Sequence, residues 1–573
     1  MPNISIVCRS LFLCLGLLPA CVAAGSAAPG FVAPGSDTQD SSPSAYTGAA
    51  GAYLDARFAS AEADSGQAAG DYLRALEADP NNAELLQGAF ISSLLSGRPE
   101  AVTLALRLPG NQEAQYLLAG EDARAKRWEE ARQRFLAMPR QGLTQLLQPL
   151  LVAWTEQGAG RTDDALATLR PFADGKNFRG IYVLHMALIA DQAGRVAEAD
   201  QFYSLARTLF APNNLRLEQI LASWEIRQGR ADAAKGMLLG LTDGQDEMAL
   251  VVPALIADPA ARTVATPLQG IADAYLALAA ALRQQNANDF ALIMLRLALD
   301  LRPDFTEARI LVVEVNVATK HFGQAMQALA PVLPGDPLYP MVRLQRTRLL
   351  ERLGQTDAAL AELEALARDY PASPLPDVQR GDILRSQNHP EAAIAAYDRA
   401  ITKLAAPRRS AWPLFFSRGV AQQQAHHWKL AEADLQLALE LAPNQPAVLN
   451  YLGYSWADQG INLPEARRMI ELAIEQAPKD AAIIDSLGWV MFRQGHADDA
   501  ELLLEQAVSL QPEDPTINIH LGEAYWAVGR RLEAVFQWRR ALTLNPDADD
   551  KLRLEARLRD VDSEQLTPAA PKP

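Results

Sequence analysis

The sequence predicts an all-α fold, a superhelical solenoid of roughly 14 helix-turn-helix repeats, and three observations carry that expectation. The first is a period. Gly419, Gly453, Gly488 and Gly522 stand 34, 35 and 34 residues apart; Ala431, Ala466, Ala500 and Ala534 stand 35, 34 and 34 apart; Pro443, Pro478, Pro512 and Pro546 repeat that second series. The second is composition. Across 573 residues, 49% are apolar and 21% charged, which is enough to pack a core and far too apolar for a disordered chain. The third is cysteine placement: Cys8, Cys14 and Cys21 all fall within the first 21 residues. A disulfide framework, a thiolate zinc site and a cysteine nucleophile are thereby excluded from everything that follows.

Taken from the N-terminus, residues 1–24 read as a secretory signal. One cation, Arg9, precedes the apolar run Leu11–Ala24, which is too short to cross a bilayer and ends in small residues. Two exits compete. Leu18-Pro19-Ala20-Cys21 is similar to the lipobox of bacterial lipoproteins, with Cys21 as the lipidated residue and a proline that this pattern does not favour; Val22-Ala23-Ala24 offers an ordinary cleavage site. Residues 25–50, rich in Gly, Ala, Ser and Pro, read as a flexible tether, and a tether directly behind Cys21 favours the anchored form. The expected location is therefore the periplasm, at the outer membrane if lipidated, with membrane contact only through that anchor.

Residues 51–241 form a block of degenerate repeats. Ala68, Tyr72, Ala75 and Pro80 make one clear copy, and weaker ones centre on Ala101, Ala131, Ala165, Ala199 and Ala234. Residues 242–267 carry three prolines before the next helix and no helix-pair pattern, and are expected to be an irregular break. The second block runs over 268–546. It opens with Leu278-Ala279, Ala291, Leu295, Ala298 and Pro303, continues through Ala325, is interrupted by Pro331–Pro340, and resumes with Ala359, Leu363, Pro371, Ala393, Tyr397 and Ala400. Residues 547–560, polar with Leu552, Leu554 and Leu558 on one side, are expected to be a capping helix, and 561–573 a disordered tail.

Each periodic position has a mechanical reason. The glycines let two helices approach where a Cβ would hold them apart, and the alanines do the same from the second helix of each pair. The bulky residue four positions on (Ile470, Leu504, Trp538) fills the space between neighbours. Each proline stops the second helix. The extra residue of the 35-residue spacing falls in Gly460-Ile461-Asn462-Leu463-Pro464, a turn, where it disturbs no packed face.

Enzyme chemistry finds no foothold. None of the seven histidines sits in an H-E-x-x-H arrangement; His426 and His427 are adjacent and diverge on a helix, and His496 with Asp498 and Asp499 occupies a turn. Gly175-Lys176 lacks the upstream glycine of a phosphate loop, and no G-x-S-x-G is present. No catalytic residue, metal site or cofactor is expected. With 53 basic against 69 acidic residues the net charge is −16, so nucleic acid is not an expected partner.

The Gly, Ala and Pro series resembles the tetratricopeptide repeat family, whose pattern is W-x2-L-G-x2-Y … A-x3-F … P over 34 residues. The resemblance implies that the first helix of each pair lines an inner, concave face. Carried onto the best copies, its groove positions are Phe416, Gln423, Asn450, Tyr451, Tyr454, Asp458, Asp485, Trp489, Phe492, Arg493, His520, Glu523 and Trp526. Tyr454, Trp489 and Trp526 either anchor a partner or pack against the next repeat; both readings stand at this point. The two-carboxylate clamp known in the family needs several Lys, Arg and Asn residues in one groove, so an extended, partly apolar or basic segment is the better expected occupant.

A closer resemblance lies in NYLGYSWADQG (Asn450–Gly460), IDSLGWVMFRQG (Ile484–Gly495) and EDPTINIHLGEAYWAVGRRLEAVFQWRRAL (Glu513–Leu542). These are similar to long proteobacterial repeat lipoproteins, some of which act as periplasmic adaptors of a carboxyl-terminal processing protease and present cell-wall hydrolases to it. The resemblance implies a non-enzymatic adaptor with protein partners. The alternative expectation is a structural assembly factor of an envelope or exopolysaccharide biogenesis or secretion complex.

Overall fold

The computed structural model describes residues 48–566 apart from 140–141, 176–177, 212–213, 243–246, 258–261 and 405. Among the described residues there are 30 α-helices and no strand. They divide into two compact units, one ending at Tyr370 and the other starting at Pro371.

In the first unit, consecutive helices pair as antiparallel hairpins: α1 (Ala49–Ala61) with α2 (Ser65–Ala78), α3 (Ala83–Ser96) with α4 (Glu100–Ala105), α5 (Gln112–Arg124) with α6 (Trp128–Ala137), α7 (Leu143–Gly158) with α8 (Thr162–Ala173), α9 (Arg179–Gln192) with α10 (Val196–Leu209), and α11 (Leu215–Arg227) with α12 (Ala231–Gly240). A single helix, α13 (Met248–Ala257), follows. Then come α14 (Pro267–Gln284) with α15 (Asn288–Leu301), α16 (Thr306–Ala318) with α17 (Phe322–Leu329), and α18 (Tyr339–Arg352) with α19 (Thr356–Asp369). The second unit holds α20 (Leu375–Ser386) with α21 (Pro390–Thr402), α22 (Trp412–Gln424) with α23 (Trp428–Leu441), α24 (Pro446–Gln459) with α25 (Leu463–Gln476), α26 (Ala481–Arg493) with α27 (Ala497–Leu510), α28 (Pro515–Ala527) with α29 (Arg531–Thr543), and a final α30 (Ala548–Leu566). The hairpins number 14 among the described residues, as the period predicts.

The periodic residues do what their chemistry requires. Ala431, Ala466, Ala500 and Ala534 are fully buried, as are Leu435, Ile470, Leu504 and Trp538. A Cβ on Gly453 would lie 3.0 Å from the Ala466 carbonyl and 2.8 Å from Ile470; on Gly488 it would lie 2.7 Å from Leu504. Those glycines set the spacing inside each hairpin. Pro443, Pro478, Pro512 and Pro546 each follow the end of a second helix by two or three residues. The sister turns carry one left-handed residue each (His426, Gly495, Gly529), whereas the turn with the extra residue carries two, Gly460 at φ 72° and Asn462 at φ 49°. The insertion is absorbed wholly in backbone outside the helices.

Two segments differ from the sequence expectation. Within 242–267, expected to be irregular, Met248–Ala257 forms α13, with Pro253 inside it, packed on α12 and α18. Its residues are apolar on every side, so no amphipathic pattern marks it. The last helix continues beyond Asp560 to Leu566, with Val561 buried beneath it as a further apolar contact.

The first unit is not a simple array. The hairpin α14–α15 folds back inside it: α14 packs against α7 and α9, and α15 against α3 and α5, all first helices of their pairs. Tyr275 meets Tyr116 edge-to-face at 6.0 Å. Gly270 lies flat against the Trp154 indole, with no room for a Cβ, and a Cβ on Gly120 would sit 3.2 Å from Leu301. Arg124 donates from Nη2 to the Asp300 carboxylate at 2.7 Å and to its carbonyl at 2.9 Å. Eleven of the 18 residues of α14 are buried, covering most of its circumference and leaving one stripe, Ala277, Ala281 and Gln284, unburied. At the far side, Gln324 of α17 donates to the carbonyl of Glu62 just after α1, 3.2 Å away and 262 residues earlier.

Candidate interaction surface

In the second unit the first helices approach one another directly, α24 on α26 and α26 on α28, while the second helices stand further apart. A layer whose one side is closer-spaced than the other curves, with the first helices inside. Helix starts on this face are fixed by side chains: Asp480 accepts from the amides of Ala482 and Ile483, and Asp514 from Ile517. Phe416 (α22), Asn450, Tyr451 and Tyr454 (α24), Asp485, Trp489, Phe492 and Arg493 (α26), and His520, Glu523 and Trp526 (α28) are presented from those four helices.

They fall into two groups. Asp485, Trp489 and His520 are buried, at 4%, 7% and 3% exposure. His520 Nδ1 lies 2.9 Å from Asp485 Oδ2 and 3.0 Å from Oδ1. Trp489 stacks on the His520 ring at 4.1 Å and Phe492 stacks on Trp489 at 5.2 Å. This is an aromatic row tying α26 to α28, with an ion-pair-capable hydrogen bond behind it. Phe416, Asn450, Tyr451, Tyr454, Phe492, Arg493, Glu523 and Trp526 are half-buried. Phe416 and Tyr451 meet edge-to-face at 5.6 Å, and burial pushes the Tyr451 hydroxyl up to about 12. Arg493 lies over the Trp489 ring at 5.8 Å and donates to the Asp458 carbonyl at 2.5 Å.

Several polar atoms on this face have no partner although they are buried: Oε1 of Gln422 and of Gln423, Oδ1 of Asn450 and Nε1 of Trp489. Buried polar groups are ordinarily paired, so these four atoms are unsatisfied positions enclosed within the unit beneath the half-buried aromatics. The family resemblance marked the aromatic positions; it carried no sign of the unpaired glutamine and asparagine oxygens, because pairing depends on neighbours one repeat away.

α30 reaches the same face from the other end. Leu554, Leu558 and Val561 join the unit's core, and Arg557 pairs with Glu523 at 3.3 Å while lying over the Trp526 ring at 5.5 Å. Burial raises the pKa of Asp550, with Asp458 adding to that shift and His520 opposing it; burial also raises that of Tyr454, three hairpins upstream, and Asp550 adds to it. The final helix thus turns back over the inner face beside α28. Cys21 and the signal segment lie outside the described residues.

The described residues bring no three of His, Cys, Asp and Glu together in a metal-holding group, and no helix is long and apolar enough to cross a membrane. What the fold defines is an all-α solenoid of helix-turn-helix hairpins, the architecture of tetratricopeptide repeats, which generally mediate protein–protein interactions. A family model for a tetratricopeptide repeat-like domain matches residues 267–412. The TPR repeat-containing protein PA4667 of Pseudomonas aeruginosa is 25% identical over 188 residues, 33% of this chain and 31% of that protein, so the match spans about a third of the relative. Among solved structures, a tetratricopeptide repeat protein from Parabacteroides merdae is similar at 16% identity and TM-score 0.35, over 43% of this chain and 96% of that one. Yeast Tom70 is similar at 12% identity and TM-score 0.31, over 90% and 96%.

Proposed function

We propose that this chain is a non-enzymatic adaptor of the cell envelope, held in the periplasm and anchored to the outer membrane through a lipidated Cys21, that brings a carboxyl-terminal processing protease or another envelope enzyme to protein substrates such as cell-wall hydrolases. The observation that carries the scaffold part is the inner face of the second unit, where the half-buried rings of Phe416, Tyr451, Tyr454, Phe492 and Trp526 line four successive first helices. An extended, partly apolar segment would pack its side chains against those rings. The envelope part is supported by the resemblance of Asn450–Leu542 to envelope adaptors and by the signal, Cys21 and tether in sequence. Holding two partners on one scaffold raises their effective concentration without new chemistry.

The test is a crosslinked pull-down of the tagged protein from envelope membranes beside a Tyr454→Ala/Trp526→Ala double variant whose helical circular dichroism is intact. The expected result is recovery of a processing protease and cell-wall hydrolases, with at least one partner lost from the variant. A stoichiometric biogenesis complex recovered without any protease, and unchanged in the variant, would instead establish a structural assembly factor.

A further inference from the structure

Where the inward hairpin meets the wall of the first unit, α9, α11, α14 and α16 leave a cavity of about 90 Å³ that opens to solvent on one side. That is too small for a whole small-molecule ligand and leaves room for a few waters or one apolar side chain. Its floor is apolar, made by Leu184, Leu217, Leu276, Ala280 and Leu311, all buried.

One polar group opens into that floor without a partner. His185 is 2% exposed and lines the cavity. Its Nδ1 accepts a hydrogen bond from Trp154 Nε1 at 2.9 Å. Indole nitrogen is only ever a donor, so Nδ1 carries no proton, and the neutral ring must hold its proton on Nε2. Burial keeps the ring neutral, with its pKa lowered to about 4. Among the described residues nothing accepts from Nε2–H, which is left facing the cavity. A buried donor of this kind calls for an acceptor from outside.

Charge decides what kind of molecule supplies it. Deep in the wall, Arg216 Nη1 donates to Glu307 at 3.2 Å and its Nε to Asp273 at 3.2 Å. At the rim, Arg283 pairs with Glu314 at 3.1 Å, and both are about one-third exposed. Three carboxylates thus face two guanidiniums, all lining the one cavity. The balance is negative, and Glu314 already has its pKa raised by burial, so it gains from an added cation. A fatty acid would bring a carboxylate to this rim and be repelled. A polypeptide offers a carbonyl, an apolar side chain and a cation together.

We propose that this cavity binds a segment of a partner polypeptide that inserts one apolar side chain, accepts the His185 Nε2–H through a carbonyl, and sets a lysine or arginine against Glu314. The site is independent of the envelope reading above: a scaffold elsewhere in the cell could use it, and an envelope adaptor could work through its second unit alone. The test is isothermal titration calorimetry on the full chain with three probes: acetylated and amidated leucyl-phenylalanyl-lysine, the same peptide ending in glutamate, and lauric acid. The lysine peptide is expected to bind about tenfold or more tightly than the glutamate peptide, and hydrogen exchange should show new protection in α9 and α14. Ala277→Phe, which fills the cavity from α14, should abolish binding. Glu314→Gln, at the half-open rim where folding is not at stake, should bring the two peptides within about threefold of each other. Equal affinity for the two peptides, preferential binding of lauric acid, binding untouched by Glu314→Gln, or no binding at millimolar peptide would each overturn the proposal.

Discussion

A single imidazole makes the first unit sensitive to acid. Burial lowers the pKa of His185 to about 4, so the folded chain takes up a second ring proton only there, whereas the ordinary value is 6.5. Between those values the unfolded chain binds a proton that the folded chain refuses, so stability rises with pH across the window and is fully present above 6.5. As pH falls from 6.5 towards 4 this one group removes up to about 1.4 kcal/mol per pH unit. Urea unfolding at pH 7, 6 and 5 should show that slope, and His185→Phe should flatten it, with a pH-independent loss of about 1–3 kcal/mol for the orphaned Trp154 N–H. The sequence offered His185 only as a histidine outside any ligand pattern. Its partner Trp154 lies in a neighbouring hairpin, and no spacing rule joins the two. The family resemblance did mark Trp489 and His520 as first-helix groove positions, but the 4.1 Å stack between them depends on the angle between α26 and α28, which the spacing of glycines does not specify.

Glycine is what seats one element against another. Gly270 in the first turn of α14 touches the indole of Trp154 on α7, and even one methyl group there would need the ring to move. Gly270→Ala should therefore cost about 1–3 kcal/mol through overpacking. Gly236→Ala, in the exposed face of α12 where a Cβ meets nothing within 4 Å, should stabilise by about 0.5–1 kcal/mol. Chemical denaturation of the two variants side by side distinguishes close approach from mere helix propensity. The hairpins themselves were legible because Gly, Ala and Pro recur at fixed spacing. That α14–α15 lies inside the unit was not, since as a repeat it reads like its neighbours; the one available sign was that α14 is apolar around most of its circumference rather than along a stripe. α13 was hidden for a related reason, having no polar side to set a period against.

At the scale of the molecule the two units differ in how their contacts are distributed along the chain. In the second, helices touch chiefly their neighbours in sequence, as in a one-dimensional array. In the first, pairs such as Arg124–Asp300 and Gln324–Glu62 join residues 176 and 262 positions apart. Arrays fray from their ends, whereas a structure cross-braced over long sequence distances opens as a whole. Native-state hydrogen exchange should accordingly give α3, α5, α7, α14 and α15 one common opening free energy, and give the helices of the second unit a graded series, lowest at its ends. A gradient running through the first unit as well would contradict this account. The inward hairpin also bears on how such a protein can change length. Duplicating or deleting a pair in an open array leaves every remaining interface as it was. In the first unit, α15 meets α3 and α5 while α14 meets α7 and α9, so one pair gained or lost between them would shift the wall by a whole step against a hairpin of fixed size. Repeat number is free to drift in the second unit and is locked in the first.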